Sequence, residues 1–480
     1  MRILGRPGTA PAARRGAALM LSFLVLIVLI LIVAQISYST KTDARISRNE
    51  EALLTMDQTI ESVLLQVYDD LASDGAGGGG SGGLEGGAGG GGNPFAGASE
   101  GEGGPTDSHE DDWAHPQRTE MNGLQVRVLV QDEDSKFNIL SILTEDEEQA
   151  QAAFERFVRV LEFARAGTRL ELDHSTARQM ATVILEYMNR RRDQILPRPS
   201  LVSDDPDNED IGLPLTLREF HAIDPALFPS TLFADVRDED DRIVHSLGSF
   251  LTVYSCLTTA GEIASDGEGQ NQGAPTPDDP ANAPGAAAGG QAGQNQGSEP
   301  DRPDGRINVN TAPGAVLRAL VDDRDVPFGF WDEVIRYRNE PQEDQEDVDP
   351  EDVPRDEFGE EIIARKFFSS FDDLSQVRGW DHLEPIVQGE LQNLLKVQSS
   401  VFTIFVTTRR PTGEERERGE RTREEVERDE AEGQGLVRTV RSVVWRRASE
   451  SGDVEIIPLV RWEVVDYVPY EVLDDPEGRL

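Results

Sequence analysis

Residues 17–38 read AALMLSFLVLIVLILIVAQISY, an uncharged apolar run directly after Arg14, Arg15 and Gly16. A hydrocarbon core of about 30 Å needs roughly 20 apolar residues at helical rise, which this run supplies, whereas the apolar core of a secretory signal is about 7 to 15 residues long. The residues after the run decide the fold. From Ser37 to Leu71 there is no Gly or Pro, and Ile46, Leu53, Leu54, Met56, Ile60, Val63, Leu64 and Val67 recur three to four residues apart, the period of an amphipathic helix. Span and stalk therefore read as one continuous helix, and nothing after Ala34-Gln35-Ile36 resembles the break of a cleaved signal peptide. Arg2, Arg6, Arg14 and Arg15 precede the span with no acid among them, which predicts a cytoplasmic N-terminus with the bulk of the chain on the outer side.

Composition limits what that bulk can be. Among 480 residues there are 45 Gly and 27 Pro, and 37% are hydrophobic, so a modest folded core with long loops is expected. Lys and Arg total 46 against 90 Asp and Glu, a formal charge of -44, which repels duplex phosphate and argues against a nucleic-acid partner. The single Cys256 excludes an intrachain disulfide. A Gly-dominated stretch at 75–105 ends the stalk near Asp74 and begins a linker, and residues 257–305 form a second one. The acidic stretch 340–361 and the mixed-charge stretch 411–435 read as solvated loops.

Between the linkers the chain repeats itself. Lys136-Phe137-Asn138-Ile139-Leu140 aligns with Arg306-Ile307-Asn308-Val309-Asn310, and residues 184–189 align with 334–339. Residues 216–223 then align with 370–377, and Leu251-Thr252-Val253-Tyr254-Ser255 with Leu395-Lys396-Val397-Gln398-Ser399. Four blocks in one order predict two related helical units, 137–256 and 306–396. In the second, Asn310 or Thr311 is expected to cap a helix opened by Pro313. Residues 331–338 and 371–377 supply further amphipathic segments. In the first, 145–166 and 176–192 are periodic, and Thr216 with Glu219 has capping-box spacing. Residues 397–408, 436–446 and 454–465 alternate apolar and polar and read as an antiparallel sheet. Residues 124–130 alternate likewise and are expected to join it.

A basic leader, a Gly, and a hydrophobic helix serving as both anchor and stalk resemble the type IV pilin and pseudopilin class. In that class a membrane peptidase cuts after the Gly, here Gly16, and Ala17 becomes the methylated N-terminus of the mature chain. The class usually carries Glu at the fifth mature position, which here is Leu21. A carboxylate in hydrocarbon is costly unless paired, and a subunit at a filament tip has no neighbour above to pair with. The departure matches the minor pseudopilin family of general secretion pathway protein K. That family carries an Ile-Asn-Val-Asn-Thr-Ala motif like Ile307, Asn308, Val309, Asn310, Thr311 and Ala312, and an acidic-Leu-x-x-Val element like 373–377.

The resemblance implies an α+β fold. A transmembrane and stalk helix (17–74) follows a leader (1–16) and packs on an antiparallel sheet (first strand 124–136, remainder 397–470), with a duplicated helical insertion resembling SAM-like or helix-hairpin-helix modules; 75–123 is linker and 471–480 a tail. It also implies a non-enzymatic tip subunit of a type II secretion pseudopilus. Its partners would be other minor pseudopilins, the prepilin peptidase and the inner membrane, together with the secretin or the secreted cargo. A minor pilin or adhesin of a type IV pilus uses the same stalk and is the alternative. The same motif also resembles the helix-hairpin-helix of membrane-anchored DNA receptors, but the connection at 321–329 is acidic where phosphate would sit.

Catalytic chemistry is sparse. His109, His115, His174, His221, His245 and His382 are scattered without metal-ligand spacing, and no nucleophile elbow or phosphate loop is present. His221 reads as a surface or capping residue and Cys256 as a small half-buried one. Asp205, Asp207 and Glu209 offer alternating oxygens, but Asp210 stands where an EF-hand needs Gly. Protein K relatives include calcium binders, so calcium is the cofactor the resemblance suggests.

Overall fold

The computed structural model describes residues 12–75, 106–143, 146–191, 216–237, 242–255, 305–342, 365–410, 436–448 and 454–472. They fall into two bodies, 1–58 and 59–480. The first body is helical. Helix α1 (Ala12–Gly75) contains the apolar segment Met20–Asp43, long enough to cross a membrane and with none of its most apolar window buried. Ile46 and Leu54 are exposed as well.

The second body begins with the last turns of α1. Strands β1 (Gln117–Met121) and β2 (Leu124–Asp132) come next as a hairpin. Its turn, Asn122 (φ 56°) and Gly123 (φ 71°), is left-handed at both positions, as a tight two-residue hairpin requires. The chain then leaves the sheet twice. The first excursion runs through β3 (Phe137–Asn138), α2 (Glu147–Phe163), α3 (His174–Arg191), α4 (Glu219–Ile223), β4 (Val236–Arg237), β5 (Ile243–Val244) and β6 (Leu251–Thr252). The second runs through β7 (Ile307–Asn308), α5 (Gly314–Leu320), α6 (Phe328–Asn339), α7 (Pro385–Leu394) and β8 (Leu395–Lys396). It returns as β9 (Val401–Arg410), β10 (Leu436–Ala448) and β11 (Val454–Val465). The sheet order is β1-β2-β9-β10-β11, antiparallel throughout. The fold is α+β, with the apolar helix and the antiparallel sheet expected from the alternation of residues.

The repeat has a structural counterpart. β3 pairs in parallel with β6, Phe137 opposite Leu251 and Asn138 opposite Thr252; β7 pairs in parallel with β8, Ile307 opposite Leu395 and Asn308 opposite Lys396. These are the positions aligned by the sequence blocks. Each excursion therefore closes on its own opening residues, and a closed excursion leaves the β2–β9 pairing intact.

Two cores sandwich the sheet. On one face Ile60, Val63, Leu64, Val67 and Leu71 of α1 pack on Val126, Val128 and Val130 of β2, Phe402, Ile404 and Val406 of β9, and Val440 and Val444 of β10. Leu53, expected in that stripe, is only half-buried. On the other face both excursions share one core with Val401, Val443, Trp445 and Leu459. Between the excursions, Arg156 and Arg159 of α2 donate through Nε to the carbonyls of Leu320 and Ala319 at 2.8 and 2.9 Å. They satisfy the otherwise orphaned end of the short helix α5.

Several local expectations need correction. α5 starts at Gly314 after Pro313 with no side-chain cap. Neither Asn310 nor Thr311 caps it, because both side chains are drawn into buried hydrogen bonds with Phe368 and Asp132. Thr216 and Glu219 form no capping box: α4 opens at Glu219 after Arg218, and the Thr216 hydroxyl accepts instead from the Arg218 N–H at 3.4 Å. Phe371–Gln376 is a 3₁₀ segment, and the capping box lies there, between Ser370 and Asp373. Strand β9 begins at Val401 rather than 397, since the N–H groups of Ser399 and Ser400 are taken by the carboxylates of Asp107 and Asp134.

Candidate functional site

The motif Ile307 to Ala312 lies where the second excursion meets the sheet. Asn308 is fully buried, and its Nδ2 donates to Ser399 Oγ (2.8 Å), the Asp107 carbonyl (3.1 Å) and Asp132 Oδ2 (3.3 Å), while its Oδ1 accepts from the Asn310 N–H (2.9 Å). Asn310 holds Phe368 from both sides, accepting from its N–H at 2.8 Å and donating to its carbonyl at 2.9 Å. Thr311 donates to Asp132 Oδ2 at 2.5 Å. Beneath them the Arg338 guanidinium, 4% exposed, donates to the Val309 and Ala312 carbonyls, each at 2.8 Å. The motif's polar side chains thus satisfy one another inside the protein, which is what buried amides and hydroxyls require. Ile307, Val309 and Ala312 fill the core between them.

The first excursion repeats the central contact. Asn138 Oδ1 accepts from the Leu140 N–H at 2.8 Å and its Nδ2 donates to Ser255 at 3.3 Å. Those are the Asn308–Asn310 and Asn308–Ser399 contacts at aligned positions. Here the acid is Glu133, bound by Lys136 (2.5 Å), Thr403 (2.7 Å) and Thr252. Burial alone would raise its pKa, but Lys136 and these donors hold it below the usual carboxylate range.

Asp132 is different. Burial, and then the neighbouring Asp134, push it up to about 7 against the donors Ser399 and Thr311. Asp134 takes Lys396 at 3.1 Å together with the N–H groups of Ser400 and Val401. A third set of acids lies at the end of α1. Arg446 of β10 donates through Nη1 to Asp74 (2.9 Å), and through Nη2 to both oxygens of Asp107 (2.6 Å) and to the Ser399 carbonyl (2.8 Å). Its approach explains Gly75: a Cβ there would meet Arg446 Cδ at 2.8 Å. Asp111 accepts from the Ser108 N–H at 2.8 Å, and burial followed by Asp74 and Asp107 raises it to about 8 against that bond and Arg446.

Among the described residues, Asp74, Asp107 and Asp111 are the carboxylates that converge enough to hold a metal, with ligand oxygens within 4.8 Å of one another. An all-carboxylate set suits a hard cation such as calcium. The candidates named from sequence, Asp205, Asp207 and Glu209, lie outside the described residues, as do Cys256, residues 76–105, 256–304, 343–361 and the charged loop 411–435. The far end of the first expected linker, 106–123, is instead folded: the turn at Asp112–Ala114 buries Trp113 in the core beneath α1, and Gln117–Met121 is strand β1. Gly16 and Ala17 fall within the backbone of α1, and Leu21 is 68% exposed on it. His221 binds the Phe228 carbonyl through Nδ1 at 2.6 Å.

The Asp74–Asp107–Asp111–Arg446 grouping was missed from sequence because its members are far apart along the chain. The signal that could have found part of it is Ser399-Ser400 before an apolar strand, since Ser399 bonds both Asp107 and Arg446; Asp132-Glu133-Asp134 at the end of another strand marks the neighbouring acids instead. Polar residues that close to sheet positions must be paired or solvated.

No protein-family model and no curated protein matches the chain. Among solved structures, a chain of the GspK-GspI-GspJ complex from the type 2 secretion system of enterotoxigenic Escherichia coli aligns with it. The match has 13% identity and a TM-score of 0.40, over 88% of this chain and 99% of that one. That likeness carries nothing about residues or partners.

Proposed function

We propose that the chain is a non-enzymatic minor pseudopilin that starts and caps the type II secretion pseudopilus from its tip. One observation carries the reading: α1 runs unbroken from an apolar segment fit for a bilayer into an amphipathic stripe that packs on an antiparallel sheet. An anchor that is also a packing element suits assembly by bundling of helices. Leu21 in place of the usual Glu supports the tip position, where no subunit above supplies an amine. The prepilin peptidase cuts after Gly16, Ala17 is methylated, and the protein sits in the inner membrane with its second body in the periplasm. The helical excursions face the secretin or cargo, and sister minor pseudopilins pack beside α1. Calcium, held by Asp74, Asp107 and Asp111, neutralises the acid that Arg446 leaves over.

Deleting the gene from the producing bacterium tests this reading. The expected result is cargo stranded in the periplasm, with export restored by the intact chain but not by one whose 17–38 run carries charges. Continued export with loss of surface pili or adhesion would favour the type IV pilus reading. Loss of DNA uptake alone would favour the receptor reading.

A further inference from the structure

We propose that residues 466–472 form a strap that locks the first excursion onto the sheet, with the Asp235 carboxylate as its catch. The segment Asp466-Tyr467-Val468-Pro469-Tyr470-Glu471-Val472 follows β11 and belongs to no helix or strand. An irregular segment after an edge strand ordinarily runs over the surface, where water satisfies its backbone groups. Here Pro469 and Tyr470 are buried, and Tyr467, Val468, Glu471 and Val472 are half-buried. Pro469 fixes its own φ and biases Val468 toward extended backbone, so the segment is pre-set to reach across strands.

Its contacts alternate between the sheet and the first excursion. Val465, the last residue of β11, stands opposite Thr439 of β10. Tyr467 meets Phe405 of β9 with ring centroids 6.5 Å apart and packs on a small cluster of Leu129, Phe405 and Val465, distinct from the two larger cores. The Pro469 carbonyl accepts from Arg127 Nη1 of β2 at 2.6 Å. The strap thus crosses from β11 to β2, three inter-strand spacings or about 14 Å. Four extended residues reach at most about 14 Å, so the segment has little slack. Toward the first excursion, Asp466 accepts from Arg218 at 2.7 Å, and the same guanidinium lies 5.4 Å from the centre of the Tyr467 ring. Arg237 of β4 lies 5.2 Å from the Tyr470 ring, and the Tyr470 N–H donates to Asp235 Oδ2 at 2.6 Å.

Asp235 is the strongest of these holds. Its Oδ1 takes the Ser246 N–H at 2.7 Å, so one buried carboxylate joins the residues before β4, those after β5 and the strap. The Arg218–Asp466 pair is exposed on the Asp466 side and contributes little. A backbone N–H on a buried carboxylate is a charge-assisted bond whose loss leaves the acid short of a donor. At the end of the strap, Glu471 and Val472 wall a cavity of about 60 Å³ together with Asp132, Lys136, Ser249 and Thr311. The roots of both excursions meet the end of β2 there, and opening the strap would admit water to them. The second excursion has ties of its own to the sheet through Asn308, Asp107 and Arg446, so the strap bears on the first.

Hydrogen–deuterium exchange of the full chain in detergent, read by peptide mass spectrometry, tests the lock. The native chain is compared with a stop after Val465, a stop after Val472, and Asp235→Asn, which keeps the side chain's shape but loses an acceptor. The expected result is at least tenfold faster exchange over 219–237 and 243–252 in the stop after Val465 and in Asp235→Asn. Residues 314–339 and 385–394 keep their native protection, and the stop after Val472 behaves as the native chain. Unchanged exchange over 219–237 and 243–252 overturns the strap. An equal loss across both excursions overturns it as well, since that is a general loss of stability, and so does faster exchange in the stop after Val472, which would place the hold beyond the strap. If the stop after Val465 does not fold, Asp235→Asn decides by the same criteria.

Discussion

Arg446 joins the end of α1, the segment at Asp107 and the start of β9 through one guanidinium. Replacing it by Met leaves Asp107 buried without its cation, and breaking such a pair costs about 3–5 kcal/mol. Denaturant unfolding of the full chain in detergent should show a lower midpoint with an unchanged slope. Asp111 and Asp132 make a second prediction. Their folded pKa values, about 8 and about 7, lie above the ~3.9 of an unfolded Asp. Folding therefore favours the protonated forms: their stabilising contribution is complete below about pH 4 and is lost as pH rises through 7 and 8. In the presence of a chelator, the melting temperature should fall between about pH 5.5 and 8.5, and Asp111→Asn should remove the upper part of that fall. On the proposed function calcium would take the place of that proton, and the expected outcome is a midpoint restored at about pH 8.5 in the native chain but not in Asp111→Asn. Equal midpoints with and without calcium would remove the metal from the account.

At the scale of elements, the two excursions show a duplication that kept its hinge and changed its acid. Asn138–Ser255 and Asn308–Ser399 are the same contact, but Asn308 also holds Asp107 and Asp132. Asn308→Ala should therefore cost more than Asn138→Ala, each within about 1–3 kcal/mol, as read from unfolding midpoints; equal losses would mean that the added acids contribute nothing. The repeat was legible in the sequence as aligned blocks, but the strand pairings at Phe137, Asn138, Ile307 and Asn308 were not, because two-residue strands leave no alternation to read. The strand at 454–465 was legible from alternation alone. The helix starts were not. Asn310 and Thr311 have the chemistry of caps, and a buried acid from β2, distant in sequence, outcompetes the local N–H groups for them. The same competition delays β9 to Val401. Local signals fail where a long-range carboxylate is nearby, and no residue within a short window announces it.

At the scale of the whole molecule, an apolar run with no buried residue and a stripe deep in a core belong to one helix. A span that served only for export would be discarded; this one carries the packing of the sheet on its far end. Shortening Ile60 to Ala should cost about 2–5 kcal/mol, because the residue is fully buried against the sheet. The same change at Leu26, exposed in the apolar run, should leave the unfolding midpoint in place. The measurement that tests the central claim most directly is the N-terminal sequence and mass of the chain extracted from membranes. The account predicts a mature chain that begins at Ala17 with a methylated amine and retains the 17–38 run. A chain that begins near Ser37, released from the membrane, would contradict it.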